Sequence, residues 1–192
     1  MGRVFSTIPP DFVDLASLPA VRLAIGYARP DNFTGAVLPG YEVPGAWLHV
    51  SAAAALERAL GRLAPRGLGL VVYDAYRPVR ATRAMVDWCE AHDRTDLLEG
   101  WVGRTSRHNR GVAIDVGLAW RDGSELPMGG AWDDFAPHSY VEGAVGAARA
   151  NRRALAQVMI AEGFVPYWRE WWHFEWPMDP LPSEHDEAYG RR

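Results

Sequence analysis

The chain has 192 residues, 48% of them hydrophobic and 23% charged, with a formal net charge of −4, a mass of 21.3 kDa and a pI near 5.9. This is the composition of a globular chain able to bury a core without staples; it excludes a disordered or fibrous architecture, and the acidic balance argues against nucleic acid or an anionic membrane as partner. All twenty basic residues are arginine and Cys89 is the single cysteine, which excludes lysine Schiff-base chemistry, a Walker A lysine, an internal disulfide and a multi-cysteine zinc site.

From the start, Met1-Gly2-Arg3-Val4-Phe5-Ser6 fits the loose myristoylation pattern, which fixes too few positions to outweigh chance. Met1 to Leu18 lacks the apolar stretch of a secretory signal, and no run approaches the ~18 apolar residues of a membrane span, so a cytoplasmic location is expected. Asn32-Phe33-Thr34 matches a glycosylation acceptor, which matters only in a secreted chain. The first fifty residues read as loop-rich, with turns at Arg29-Pro30-Asp31, Leu38-Pro39-Gly40 and Val43-Pro44-Gly45. Ser51 reads as the N-cap of a helix that places Ala52, Leu56, Leu60 and Leu63 on one face, and Pro65-Arg66-Gly67 stops it. Leu68 to Tyr73 reads as a buried strand. Pro78 suits the first position of a second helix carrying Thr82, Met85, Val86 and Cys89. Residues 93–106 read as irregular. Gly111 to Leu118 alternates as a strand, Arg121-Asp122-Gly123-Ser124 is a hairpin signal, and a long loop follows. Asn151 to Glu162 reads as a third helix ended by Gly163, and the aromatic stretch from Phe164 to Trp176 as a strand or strand pair. The sum is an α+β fold, a single domain over 1–192 with helices on a small, mostly antiparallel sheet.

Three segments carry the chemistry. In Ser106-Arg107-His108-Asn109-Arg110-Gly111-Val112-Ala113-Ile114-Asp115, the strand alternation sends Val112, Ile114, Val116 and Leu118 to a core. Ala113, Asp115 and Gly117 go to the other face, where small neighbours leave room around the carboxylate. A straight run would put His108 on the wrong face, but a bend at Asn109-Arg110-Gly111 returns it to the Asp115 side. Taken alone, this segment is equally a loop histidine beside an aspartate satisfied by backbone amides. In Arg169-Glu170-Trp171-Trp172-His173-Phe174-Glu175-Trp176, a histidine follows a glutamate by three among four aromatics. An aromatic core strand with incidental polar residues explains that stretch as well. The functional alternative makes His108, Asp115 and His173 the ligands of a zinc ion with one open position, and Glu170 a nearby base whose pKa the tryptophans raise. A regular strand would set Glu170 and His173 on opposite faces, so Glu170 must sit on a bulge or turn at the strand entry. In Tyr73-Asp74-Ala75-Tyr76-Arg77-Pro78, Arg77 is held extended by Pro78 and can point into a cleft to stabilise an oxyanion; a plain pairing with Asp74 is the other reading.

In this order and at these spacings, the three segments resemble the zinc peptidases of the D-alanyl-D-alanine dipeptidase family, of the type known from vancomycin resistance. The resemblance runs from about Tyr27 to Trp176. Tyr27-Ala28-Arg29-Pro30-Asp31-Asn32-Phe33-Thr34-Gly35 with Gly40-Tyr41-Glu42-Val43 is similar to an early family block, and Asp74-Ala75-Tyr76-Arg77-Pro78 to its Tyr-Arg-Pro block. Ser106-x-His108-x-x-Gly111-x-Ala113-x-Asp115 and Glu170-x-Trp172-His173 resemble its two metal-site signatures, and Pro127-Met128-Gly129 with Asp133 a later block. The resemblance implies zinc on His108, Asp115 and His173, Glu170 as catalytic base and Arg77 as transition-state stabiliser. It also implies that Ser106 contacts the substrate carboxylate, that Tyr27 and Asp133 lie near its free amine, and that Tyr41 lines the same pocket. The implied substrate is a small D-amino-acid dipeptide of cell-wall type. Homo-oligomerisation is left open, and a carboxypeptidase acting on longer cell-wall peptides or a silent zinc-binding module are the alternatives. The chain departs from the family at Trp132, where phenylalanine is usual, at Phe135-Ala136-Pro137-His138, which replaces a more acidic stretch, and at Arg107 and Asn109 beside His108.

Overall fold

The computed structural model describes residues 8–190; the myristoylation-like segment lies outside them. Five strands form one sheet in the order β2-β4-β5-β7-β6. They are β2 (Val21–Leu23), β4 (Leu68–Asp74), β5 (Ala113–Trp120), β6 (Val165–Pro166) and β7 (His173–Glu175). The pairs β4–β5, β5–β7 and β6–β7 are antiparallel, as the sequence suggests, whereas β2 runs parallel to β4. A separate two-stranded pair joins β1 (Phe12–Asp14) to β3 (Trp47–His49). The "loop-rich" first fifty residues thus contain three strands. Each is three residues long, too short for alternation to show against the turn signals around it.

There are three α-helices among the described residues, α1 (Val50–Leu63), α2 (Val79–Ala91) and α3 (Gly146–Ala161). Helices α1 and α3 pack together, α1 against β4 and α3 against β5. The apolar stripe expected for α1 is its buried face, with Ala52, Leu56, Leu60 and Leu63 all in the core. The cap differs by two residues. His49, not Ser51, is the N-cap, and its Nδ1 accepts the Ser51 N–H at 3.3 Å. Pro78 likewise caps α2 from outside, because its ψ of 140° is extended rather than helical. Helix α3 starts five residues before Asn151; Gly146-Ala147-Ala148-Arg149-Ala150 has too few large apolar groups to show a period.

Strands β4 and β5 form the centre, and both are buried along almost their whole length. Their register slips between Val72 and Asp74, so that Val72 faces Val116 while Asp74 faces Asp115. Tyr73 is the extra residue of this bulge, and bulges re-aim side chains beside functional sites. Here the bulge sets Asp74 and Asp115 opposite one another at the sheet end where Arg77 and His108 arrive. The space expected beside Gly117 does not remain open. A Cβ on Gly117 would fall 2.7 Å from the Tyr73 hydroxyl, so the missing side chain makes room for the tyrosine.

Candidate active site

His108 lies in a 3-10 turn, Arg107–Arg110, opened by Ser106. The Ser106 hydroxyl accepts the His108 N–H at 3.2 Å, and the Asn109 side chain accepts the Ser106 N–H at 3.2 Å. This reciprocal box fixes the start of the turn. Gly111 ends it with φ +63°, a left-handed backbone that favours glycine. A Cβ there would also fall 2.1 Å from the Phe12 ring. The bend carries the imidazole back to the Asp115 side. His173 reaches the same place from β7, whose residue pairs directly with Asp115 across the ladder.

The three side chains converge. His108 Nε2 lies 3.1 Å from His173 Nδ1 and 3.3 Å from Asp115 Oδ1, and His173 Nδ1 lies 3.0 Å from Asp115 Oδ1. A tetrahedral zinc ion with bonds of about 2.0–2.1 Å has ligand–ligand edges of roughly 3.3 Å, so this triangle fits one face of such a site. The orientation fits as well. His108 Nδ1 donates to the Ala75 carbonyl at 2.6 Å, which fixes the tautomer and leaves the Nε2 lone pair facing His173 Nδ1 and Asp115 Oδ1. Burial alone would lower the His173 pKa, yet hydrogen bonds to Asp115 and Glu175 push it up to about 10. Burial acts to raise the Asp115 pKa, and the charge of His108 with hydrogen bonds to His108 and His173 outweighs it and holds the carboxyl far below the usual range. Both shifts express the close packing of the carboxylate against the two imidazoles.

Glu170 stands next to this triangle and outside it. Its Oε2 is 3.8 Å from His173 Nδ1, and it is 8% exposed. Burial pushes its pKa up to about 7, with Asp115 adding and His173 and Arg77 opposing. That places a proton acceptor near its point of balance at neutral pH. The turn expected at this residue is present. The Glu170 N–H donates to the Tyr167 carbonyl at 3.1 Å, and its own carbonyl accepts the His173 N–H at 3.2 Å.

Arg77 pairs with Asp74 and also reaches a cavity. Its Nε donates to Asp74 Oδ2 at 2.9 Å, and its guanidinium lies 5.0 Å over the Tyr27 ring. It still lines an inner cavity of about 60 Å³ together with His108, Asp115, Asp133, Glu170 and His173. Burial opposes its charge, but Tyr27, Asp74 and Asp115 more than compensate and its pKa rises above the usual value.

Tyr27, Ser106 and Asp133 line the same cavity. Tyr27 donates its hydroxyl to Asp133 Oδ2 at 2.7 Å. Desolvation pushes the Asp133 pKa well up, and the Tyr27 hydrogen bond opposes this. Tyr41 is placed elsewhere. It lies one layer behind, 1% exposed, with its hydroxyl 2.5 Å from Asp74 Oδ1, so it supports the carboxylate that holds Arg77. Asp74 and Trp132 were not singled out by the sequence as site residues. Asp74 is the last residue of β4, where the sequence offered it only as a partner for Arg77. An outer cavity of about 410 Å³ adjoins the inner one and shares Ser106, Glu170 and His173 with it.

No helix among the described residues is long and apolar enough to cross a membrane. The family described as D-ala-D-ala dipeptidase matches residues 10–189. A D-alanyl-D-alanine dipeptidase of Escherichia coli (strain K12) is 38% identical over 170 residues, covering 87% of this chain and 85% of that protein. One of Enterococcus faecium is 36% identical over 182 residues, covering 86% and 90%, and one of Enterococcus faecalis is 34% identical over 183 residues, covering 86% and 91%. With its His108–Asp115–His173 triangle and adjoining Glu170 in that sequence context, the chain belongs to the D-alanyl-D-alanine dipeptidase family of peptidases.

Proposed function

We propose that this chain hydrolyses D-alanyl-D-alanine-type dipeptides with a zinc ion held by His108, Asp115 and His173. The observation that carries this is a glutamate at the edge of a three-ligand cluster but not in it. A purely structural metal needs no such base. The triangle of two imidazoles and one carboxylate is a catalytic zinc donor set, three protein ligands with a coordination position to spare. When bound, zinc supplies a Lewis acid that acidifies water and polarises the scissile carbonyl.

The protein's own groups do the rest. Glu170 takes a proton from the attacking water and returns it to the leaving amine, which its pKa near 7 permits in both directions. Arg77, held by Asp74 and by the Tyr27 ring face, offers its remaining N–H groups to the oxygen that becomes negative in the transition state. Asp133 is a desolvated carboxylate whose partner is a neutral phenol, and a substrate ammonium would supply the missing positive charge. Ser106 lines the same cavity, and its hydroxyl suits the substrate carboxylate. A site that pairs both ends of a dipeptide leaves polar groups unmet when the peptide is longer or blocked, and that discriminates strongly.

The test is release of free D-alanine from D-alanyl-D-alanine, with and without a chelator, beside a pentapeptide ending in the same two residues. Chelator-sensitive release from the dipeptide alone supports this reading. Release mainly from the pentapeptide replaces it with a carboxypeptidase, and zinc binding without release from either leaves a silent binding module.

A further inference from the structure

Asp115 has two carboxylate oxygens, and the fold treats them differently. Oδ1 faces both imidazoles, at 3.3 Å from His108 and 3.0 Å from His173. Oδ2 accepts the indole N–H of Trp132 at 3.1 Å. We propose that Trp132 is a positioning residue for the metal site: its N–H occupies Oδ2, orients the carboxylate, and leaves Oδ1 as a single-oxygen ligand. This rests on the zinc reading above.

The ring is seated by a slot built for it. Tyr27 meets it edge-on, with centroids 4.7 Å apart, and Tyr73 stacks on it at 5.8 Å with an interplanar angle of 17°. Gly26 closes the third side without a side chain, since a Cβ there would fall 2.1 Å from Trp132 Cζ3. Tyr73 is the bulged residue of β4, and the absent side chain of Gly117 leaves room for its ring. Three segments far apart in sequence, Gly26-Tyr27, Tyr73 and Gly117, thus fix where one N–H points. The next residue, Asp133, is held at φ +59° and bonds Tyr27. One short segment therefore grips a metal ligand through Trp132 and lines the substrate cavity through Asp133. A donor on the outer oxygen of a ligating carboxylate sets its geometry and basicity, and removing such a partner typically weakens metal binding 10–100-fold.

Trp132→Phe keeps the aromatic packing and removes the donor. Zinc affinity is measured by competition with a chromophoric chelator, and coordination by the visible spectrum of the cobalt(II)-substituted protein. The expected result is zinc binding weaker by roughly 10–100-fold, with a less intense cobalt band as the freed carboxylate binds through both oxygens. Turnover of the zinc-loaded variant falls through kcat while KM stays near the wild-type value. Gly26→Ala, which pushes the ring but keeps the N–H, should weaken zinc in the same direction and decides the matter if Trp132→Phe folds poorly. Tyr73→Phe keeps the stacked ring and should bind zinc as the wild type does. Wild-type affinity and an unchanged cobalt spectrum in Trp132→Phe overturn this proposal alone, as does an equal loss in Tyr73→Phe, which would assign the effect to packing. A wild-type chain that binds no zinc overturns the functional reading together with it.

Discussion

Glu170 and His173 are three residues apart, yet their side chains meet at one edge of the site, Oε2 to Nδ1 at 3.8 Å. They meet because the chain is not yet a strand at Glu170. Its carbonyl accepts the His173 N–H at 3.2 Å, closing a turn, and β7 begins only at His173. In a continued strand the two would point to opposite faces.

Glu170 should therefore set the acidic limb of activity. Its carboxyl must be ionised to act as base, so kcat/KM is expected to fall about tenfold per pH unit below its pKa near 7. Glu170→Gln should lose nearly all turnover while retaining zinc. Normal turnover in that variant would remove the base assignment. The stability effect has the opposite sign. A carboxyl raised in the folded state contributes stability fully below its unfolded value of 4.5 and loses it as pH rises through about 7. In chelator-treated protein, wild type should thus lose on the order of 3 kcal/mol relative to Glu170→Gln across that window, measured by urea unfolding at several pH values.

Arg77→Ala should lower kcat by on the order of 10²–10³, the usual cost of an oxyanion donor. Steady-state kinetics on the dipeptide checks this. A change confined to KM would make Arg77 a substrate-binding residue instead. Because Asp74 is buried against Arg77, the variant also strands a carboxylate, so its melting temperature should drop too.

Asp133→Asn should act on binding. Losing a charged partner for the substrate amine is expected to raise KM roughly 10–100-fold, with a smaller change in kcat. The same variant should discriminate less well between free and N-acylated dipeptides. Unaltered KM would place the amine elsewhere.

Zinc should stabilise the fold, since its ligands come from the turn before β5, from β5 itself and from β7. At a thousandfold excess over Kd the gain is about 4 kcal/mol, or roughly 8–16 °C in melting temperature for a chain of this size. Thermal unfolding with and without chelator measures it, and no shift would contradict a preformed site.

The sequence by itself determined what depends on local pattern and side-chain chemistry. The apolar stripes of α1 and α2 were legible because burying one face imposes a 3.6-residue period. The bend at Gly111 and the turn at Glu170 followed from strand parity, and the donor residues were offered by their types and singled out by the family resemblance. Only the tertiary structure decided the rest. Tyr41 lies behind Asp74 rather than in the cavity, Tyr73 fills the space beside Gly117, β2 pairs in parallel with β4, and the Trp132 N–H lands on Asp115. Each is a contact between segments distant along the chain, set by a β-bulge, a glycine that admits a ring, or a three-residue strand. Such contacts leave no periodic trace in sequence, because their energy comes from packing partners that local spacing does not encode.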